Sequence, residues 1–147
     1  MKILRRLITD FRKRVRSISP KKTHERHHHT NFKNKIILGM VNNERRKHHL
    51  KPVKYDRSLE LHAIRWSKHM AHQKRLSHSG KILENACMVP VRHSSKKITK
   101  DMFFCWKKSP PHWAWMMNPG VTKAGFGYSI RGKWAYGAYA FNDFKSF

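Results

Sequence analysis

The chain has 147 residues, with 33 Lys and Arg against 8 Asp and Glu, a formal charge of +25. That length suits one domain with a short extension, and 12% aromatic residues is too many for a disordered chain. Two cysteines exclude a disulfide-dense scaffold, and no apolar run approaches the roughly 18 residues of a membrane helix.

The charge is not confined to a tail. Residues 1–31 hold ten basic and two acidic side chains, and residues 32–147 hold the other 23 and 6, a net +17 for the body. A basic tail on a neutral domain is excluded, and an anionic partner is expected. Met1–Arg6 has the charge of a signal-peptide start, but no apolar core of 7–15 residues follows. Ile3, Leu4, Leu7, Ile8, Phe11 and Val15 instead follow a helical period among Arg and Lys. This reads as a basic amphipathic helix, either an anchor to an anionic surface or a helix docked on the domain. Ser17–Asn31 reads as a linker, and His24, His27, His28 and His29 in it are either loose metal ligands or a solvated tract. The expected division is therefore 1–31, helix and His-rich linker, and 32–147, the folded domain.

Phe32, Ile36, Ile37, Met40 and Val41 predict a first body helix, capped by Asn31 and ended near His49 ahead of Lys51-Pro52. Leu59, Ala63, Trp66 and Met70 form the apolar stripe of a second helix starting at Asp56 or Ser58. His62, Lys68, His69, His72 and Lys74 fall off that stripe. Ser77–Gly80 breaks the helix, and Ile82–Val91 reads as irregular. Thr99 is expected to cap a short helix carrying Met102, Phe103 and Trp106. Ser109-Pro110-Pro111 interrupts it, with a further turn over His112–Met117. Ala124–Ile130 and Lys133–Phe141, rich in aromatics and glycine, predict a β-hairpin turning at Arg131-Gly132. Helical segments followed by a hairpin make an α+β chain.

No phosphate-binding glycine loop, nucleophile elbow, H-E-x-x-H or paired C-x-x-C is present. With only Glu44, Asp56, Glu60, Glu84, Asp101 and Asp143 as body acids, a two-carboxylate mechanism is excluded. What remains is a spaced set: Asn42-x-x-Arg45, Leu59/Ala63/Ser67/Met70, Ser77-His78, Glu84-Asn85, Trp106-x-x-Ser109-Pro110-x-His112 and Gly125-x-Gly127. Two imidazoles and a carboxylate could hold Zn²⁺ with an open fourth position, or pair as a hydrogen-bonded structural cluster.

In this order the set resembles the CAP superfamily of cysteine-rich secretory, antigen 5 and plant pathogenesis-related proteins, in its prokaryotic SCP form, from about Lys35 to Asn142. The resemblance implies an α-β-α sandwich with a small antiparallel sheet between helical layers. It implies a cleft where His78, Glu84 and His112 meet, with Ser109 at the fourth position, and structural roles for Asn42, Arg45 and Asn85. Leu83 departs from the family's glycine before Glu-Asn, and Trp113 from its usual Arg or Lys. The eukaryotic disulfide pattern is missing, and Cys87 and Cys105 are open to pairing or to staying free thiols.

Three functions follow as expectations. The first is a non-catalytic binding module for lipid, cell-surface or other anionic ligands, using the His/Glu cleft and the cationic surface. The second is a zinc-assisted hydrolase, a peptidase, with His78 and His112 as ligands and Glu84 as ligand or base. The third is a basic nucleic-acid binder stacking bases on Trp106, Trp113, Trp115, Trp134 and Tyr136. The resemblance implies an extracellular or cell-surface location, although the N-terminus shows no recognisable signal peptide.

Overall fold

A computed structural model describes the backbone of residues 23–142 and the side chains of residues 32–142. Helix α1 runs Thr23–Lys47 and starts well before the expected cap. Asn31 lies inside it, and no proline or glycine after Pro20 stops a helix from forming there. The expected amphipathic helix over residues 3–15 lies outside the described residues. Asn34, Ile37, Leu38, Val41 and Arg45 form the buried stripe of α1 at steps of three and four, while Phe32 is exposed.

A two-residue strand, β1 (Lys54–Tyr55), leads into α2 (Arg57–Gln73). Asp56 caps α2, its side chain accepting from the Leu59 N–H at 2.9 Å. Leu59, Ala63 and Met70 are buried as the stripe requires, joined by Glu60, Ser67 and Ala71. Residues 83–90, expected to be irregular, form strand β2 (Leu83–Pro90). Its residues are covered on both faces, which removes the apolar–polar alternation by which a strand is recognised. Helix α3 (Ser95–Lys107) is capped by Ser94, whose Oγ accepts from Lys97 N–H. Thr99, expected to be the cap, is buried within α3, where its Oγ1 donates to Ser95 O. Helix α4 (Pro110–Met116) follows Ser109 with proline in its first turn, so the expected turn is a short helix. Strands β3 (Lys123–Arg131) and β4 (Trp134–Phe141) form the predicted hairpin, which turns at Gly132-Lys133, one residue later than expected.

The sheet order is β1-β3-β4-β2. β3, β4 and β2 are antiparallel neighbours, and the short β1 adds a parallel edge to β3, so the sheet is mixed. Side chains alternate across it. Ala135, Tyr139 and Phe141 join Cys87 and Val89 in a core beneath α1, α3 and α4. Tyr136, Ala138 and Ala140 join Ala86 in a second core beneath α2. The result is the α-β-α sandwich, in which, among the described residues, α2 is alone on one face.

Gly125 and Gly127 set how closely α2 lies on the sheet. A Cβ at Gly125 would overlap the backbone of Leu59 and Glu60, and one at Gly127 would press on Ile64.

Candidate functional site

Glu84 and Asn85 are neighbours on β2 and therefore point to opposite faces. Glu84 turns toward α2. Its side chain is fully buried and its two oxygens are closely held. The Ser79 N–H donates to Oε1 at 2.7 Å, and Ser79 Oγ donates to Oε2 at 2.9 Å. His62 Nε2, projecting from α2, meets Oε2 at 2.7 Å. His78 Nδ1 lies 3.5 Å from Oε1, and that ring is 64% exposed. The carboxylate thus closes the loop between α2 and β2 back onto α2. Trp66 fixes the other end of the loop, its Nε1 donating to Ser77 O at 2.8 Å, while its ring stacks on His69.

Asn85 faces the opposite layer and donates from Nδ2 to His112 O at 3.1 Å. His112 stands on α4 with Nδ1 2.9 Å from Ser109 Oγ. Burial, reinforced by the charge of nearby His78, pushes its imidazole pKa below the ordinary value, which favours the neutral ring at pH 7. The structure therefore brings His78 to Glu84 and His112 to Ser109, with the two histidines near enough for the charge of one to bear on the other. No three His, Cys, Asp or Glu side chains converge as a metal-binding group among the described residues. Zinc needs ligand atoms converging at about 2.0–2.2 Å, whereas both Glu84 oxygens are engaged by Ser79 and His62. As arranged, His78, Glu84 and His112 do not fit a three-ligand metal centre.

Asn42 and Arg45 face away from this cleft. Asn42 grips the Val53 backbone with both ends of its amide, Nδ2 to O at 3.0 Å and N–H to Oδ1 at 2.8 Å. Arg45, 1% exposed, donates to four carbonyls: Lys51, Met116, Asn118 and Val121. Those bonds tie the segments after α1 and α4 to α1. Asn34, not singled out in the sequence, does the same for β3 by bonding both backbone groups of Phe126, and it also donates to the buried Glu60 at 2.6 Å.

Beside Glu84 opens a cavity of about 510 Å³, lined chiefly by Leu59, Ile82, Leu83, Trp115 and Phe141, with Lys81 and His78 also on its wall. Leu83, the departure from the family pattern, is part of this wall. Trp113, the other departure, packs edge-on against Phe103 with Lys107 over its ring. Two contributors escape a reading of the sequence. His62 falls off the apolar stripe of α2, yet it follows Leu59 by three positions and precedes Trp66 by four. That spacing puts it on the rim of the stripe. Ser79 carries no signal beyond its closeness to Ser77-His78.

The solved structures that follow share this architecture and are distant in sequence. An outer surface protein of Borrelia burgdorferi matches with a TM-score of 0.58 at 14% identity, over 78% of this chain and 96% of that one. NaASP2 with Zn²⁺ matches at 0.60 and 15% identity, over 74% and 77%. An extracellular protein containing an SCP domain from Bacillus anthracis matches at 0.53 and 18%, over 84% of this chain and 45% of that one. At these identities the likeness establishes the fold. No curated protein matches the chain. The family description that does match, over residues 38–142, is that of the cysteine-rich secretory proteins. With that match over most of its length, the α-β-α sandwich and the His78, Glu84-Asn85 and His112 motifs in place, this chain belongs to the cysteine-rich secretory protein (CAP) family.

Proposed function

We propose that this CAP domain is a non-catalytic binding module whose cleft takes the apolar part of an anionic amphiphile. The observation that carries this reading is the cavity beside Glu84, where aliphatic and aromatic walls meet Lys81 and His78. Its volume of about 510 Å³ lies within the range of small-molecule sites. An acyl chain or ring system would bury against Leu59, Ile82, Trp115 and Phe141, and its acidic head would lie toward Lys81. The cationic body would concentrate such ligands near the cleft. Work at a cell surface agrees with two of the similar folds, one from an outer surface protein and one from an extracellular protein.

The zinc-assisted hydrolase draws no support from a carboxylate already bound on both oxygens. The nucleic-acid reading loses most of its stacking rings: Trp106 and Tyr136 are buried, Trp113 and Trp115 are half-buried, and of the five only Trp134 is exposed.

Oleate titrated into the protein and followed by tryptophan fluorescence tests the proposal. Saturable binding that weakens at least tenfold in Ile82→Glu, with Lys81→Glu showing a smaller loss, is expected. Equal affinity in wild type and Ile82→Glu would move the ligand elsewhere on the molecule.

A further inference from the structure

Cys87 lies in the middle of β2 on the face covered by α3, and it is 2% exposed. Gly137 is its partner across the ladder. The missing side chain there lets Met102 of α3 close onto the strand: a Cβ at Gly137 would overlap the Met102 Sδ and would meet the Cys87 Sγ at 3.3 Å. Cys105 stands one helical turn beyond Met102 on the same side of α3, and it is exposed. Cys87 on β2 faces α3, and the two thiols are near enough to influence each other's ionisation. Both cysteines are free. One element thus presents a thiol to solvent, and the next holds a second thiol directly behind it.

We propose that Cys105 and Cys87 form a thiol–disulfide exchange site, with Cys105 as the attacking sulfur, Cys87 as the resolving sulfur, and a low-molecular-weight disulfide as co-substrate. The Cys105 thiolate attacks one sulfur of the incoming disulfide. That S–S bond breaks, one thiolate leaves, and Cys105 carries a mixed disulfide. Cys87 then gives up its proton and attacks the Cys105 sulfur, and the second small thiol leaves. Two protein thiols are oxidised by two electrons and one disulfide is reduced to two thiols. The product is a covalent staple from β2 to α3 within one core. The electrostatics divide the roles in the same way. The neighbouring Cys87 thiol, helped by Lys108, brings the Cys105 thiol down to about 6, whereas burial pushes Cys87 well above the ordinary range. Cys105 is therefore the thiolate at neutral pH, and Cys87 keeps its proton until an acceptor sulfur arrives.

The test exposes the full-length folded protein to oxidised glutathione and reads intact mass. Wild type is expected to lose two hydrogens and carry no glutathione. Cys87→Ala should stop at a stable glutathione adduct, and Cys105→Ser should not react. Because Cys87→Ala alters the core, a second readout uses wild type alone. Iodoacetamide should label Cys105 at a rate that changes less than about twofold from pH 7 to 9, where an ordinary thiol gains roughly twentyfold. A wild-type protein that accumulates the glutathione adduct without forming the internal bond would overturn the resolving role. A labelling rate that climbs like that of free cysteine would overturn the attacking role.

Discussion

Glu84 joins the loop after α2 to its strand through Ser79, and to α2 itself through His62. A buried carboxylate with charge-assisted bonds contributes more than a neutral one, so Glu84→Ala should cost about 2–3 kcal/mol in urea denaturation. Glu84→Gln, which keeps the volume and one acceptor, should cost less. Equal losses would mean that the charge, and not the packing or the remaining acceptor, holds the loop. His112 gives a pH signature of definite sign. Its folded pKa is lowered by burial and then by His78. Above the ordinary histidine value both folded and unfolded forms are neutral there. As the pH falls through that value the unfolded chain takes the proton first, so the folded state loses stability. The urea midpoint should therefore drop between pH 7 and 5, and the drop should be smaller in His112→Gln; an unchanged drop would assign the slope to other groups. Much of this neighbourhood was not legible in the sequence. Histidines are abundant in this chain, and one at the edge of an apolar stripe looks no different from a solvated one. Only the fold, by bringing β2 alongside α2, singles out His62 from His69 and His72.

Among the elements, α2 was the most legible, because one face of it is apolar at helical spacing and Asp56 supplies its cap. The hairpin was legible from its alternating small and aromatic residues. Strand β2 was not: Leu83–Pro90 is covered on both faces, and its polar pair Glu84-Asn85 falls among buried residues. The separation between α2 and β3 is set by glycine. Gly125→Ala would drive a methyl group into the Glu60 backbone, which cannot give way as a flexible side-chain tip can. It should cost about 3 kcal/mol, at the upper end of ordinary overpacking. The same substitution at Gly39 on α1 meets nothing within 4 Å, and it removes a helix-interior glycine. It should stabilise the domain by about 0.5–1 kcal/mol. Thermal melting of the two variants reads opposite signs. A loss at Gly39 would mean that a surface absent from the isolated domain approaches α1 there.

At the scale of the whole molecule, two forces of different range bear on the proposed ligand. The charge of +25 acts over a distance that salt shortens to about 8 Å at physiological ionic strength. The apolar walls of the cleft act only on contact and are indifferent to moderate salt. Binding to phosphatidylglycerol vesicles should therefore fall steeply as salt rises from about 0.05 to 0.5 M, the range over which screening removes exposed-charge attraction. Binding to phosphatidylcholine vesicles should be weak throughout. The portion that survives at high salt is the part assigned to the cleft, and it should disappear in Ile82→Glu while the low-salt portion remains. Co-sedimentation across the salt series separates the two. If Ile82→Glu left the high-salt portion untouched, the cationic surface alone would account for the attraction, and the cavity beside Glu84 would need a different occupant.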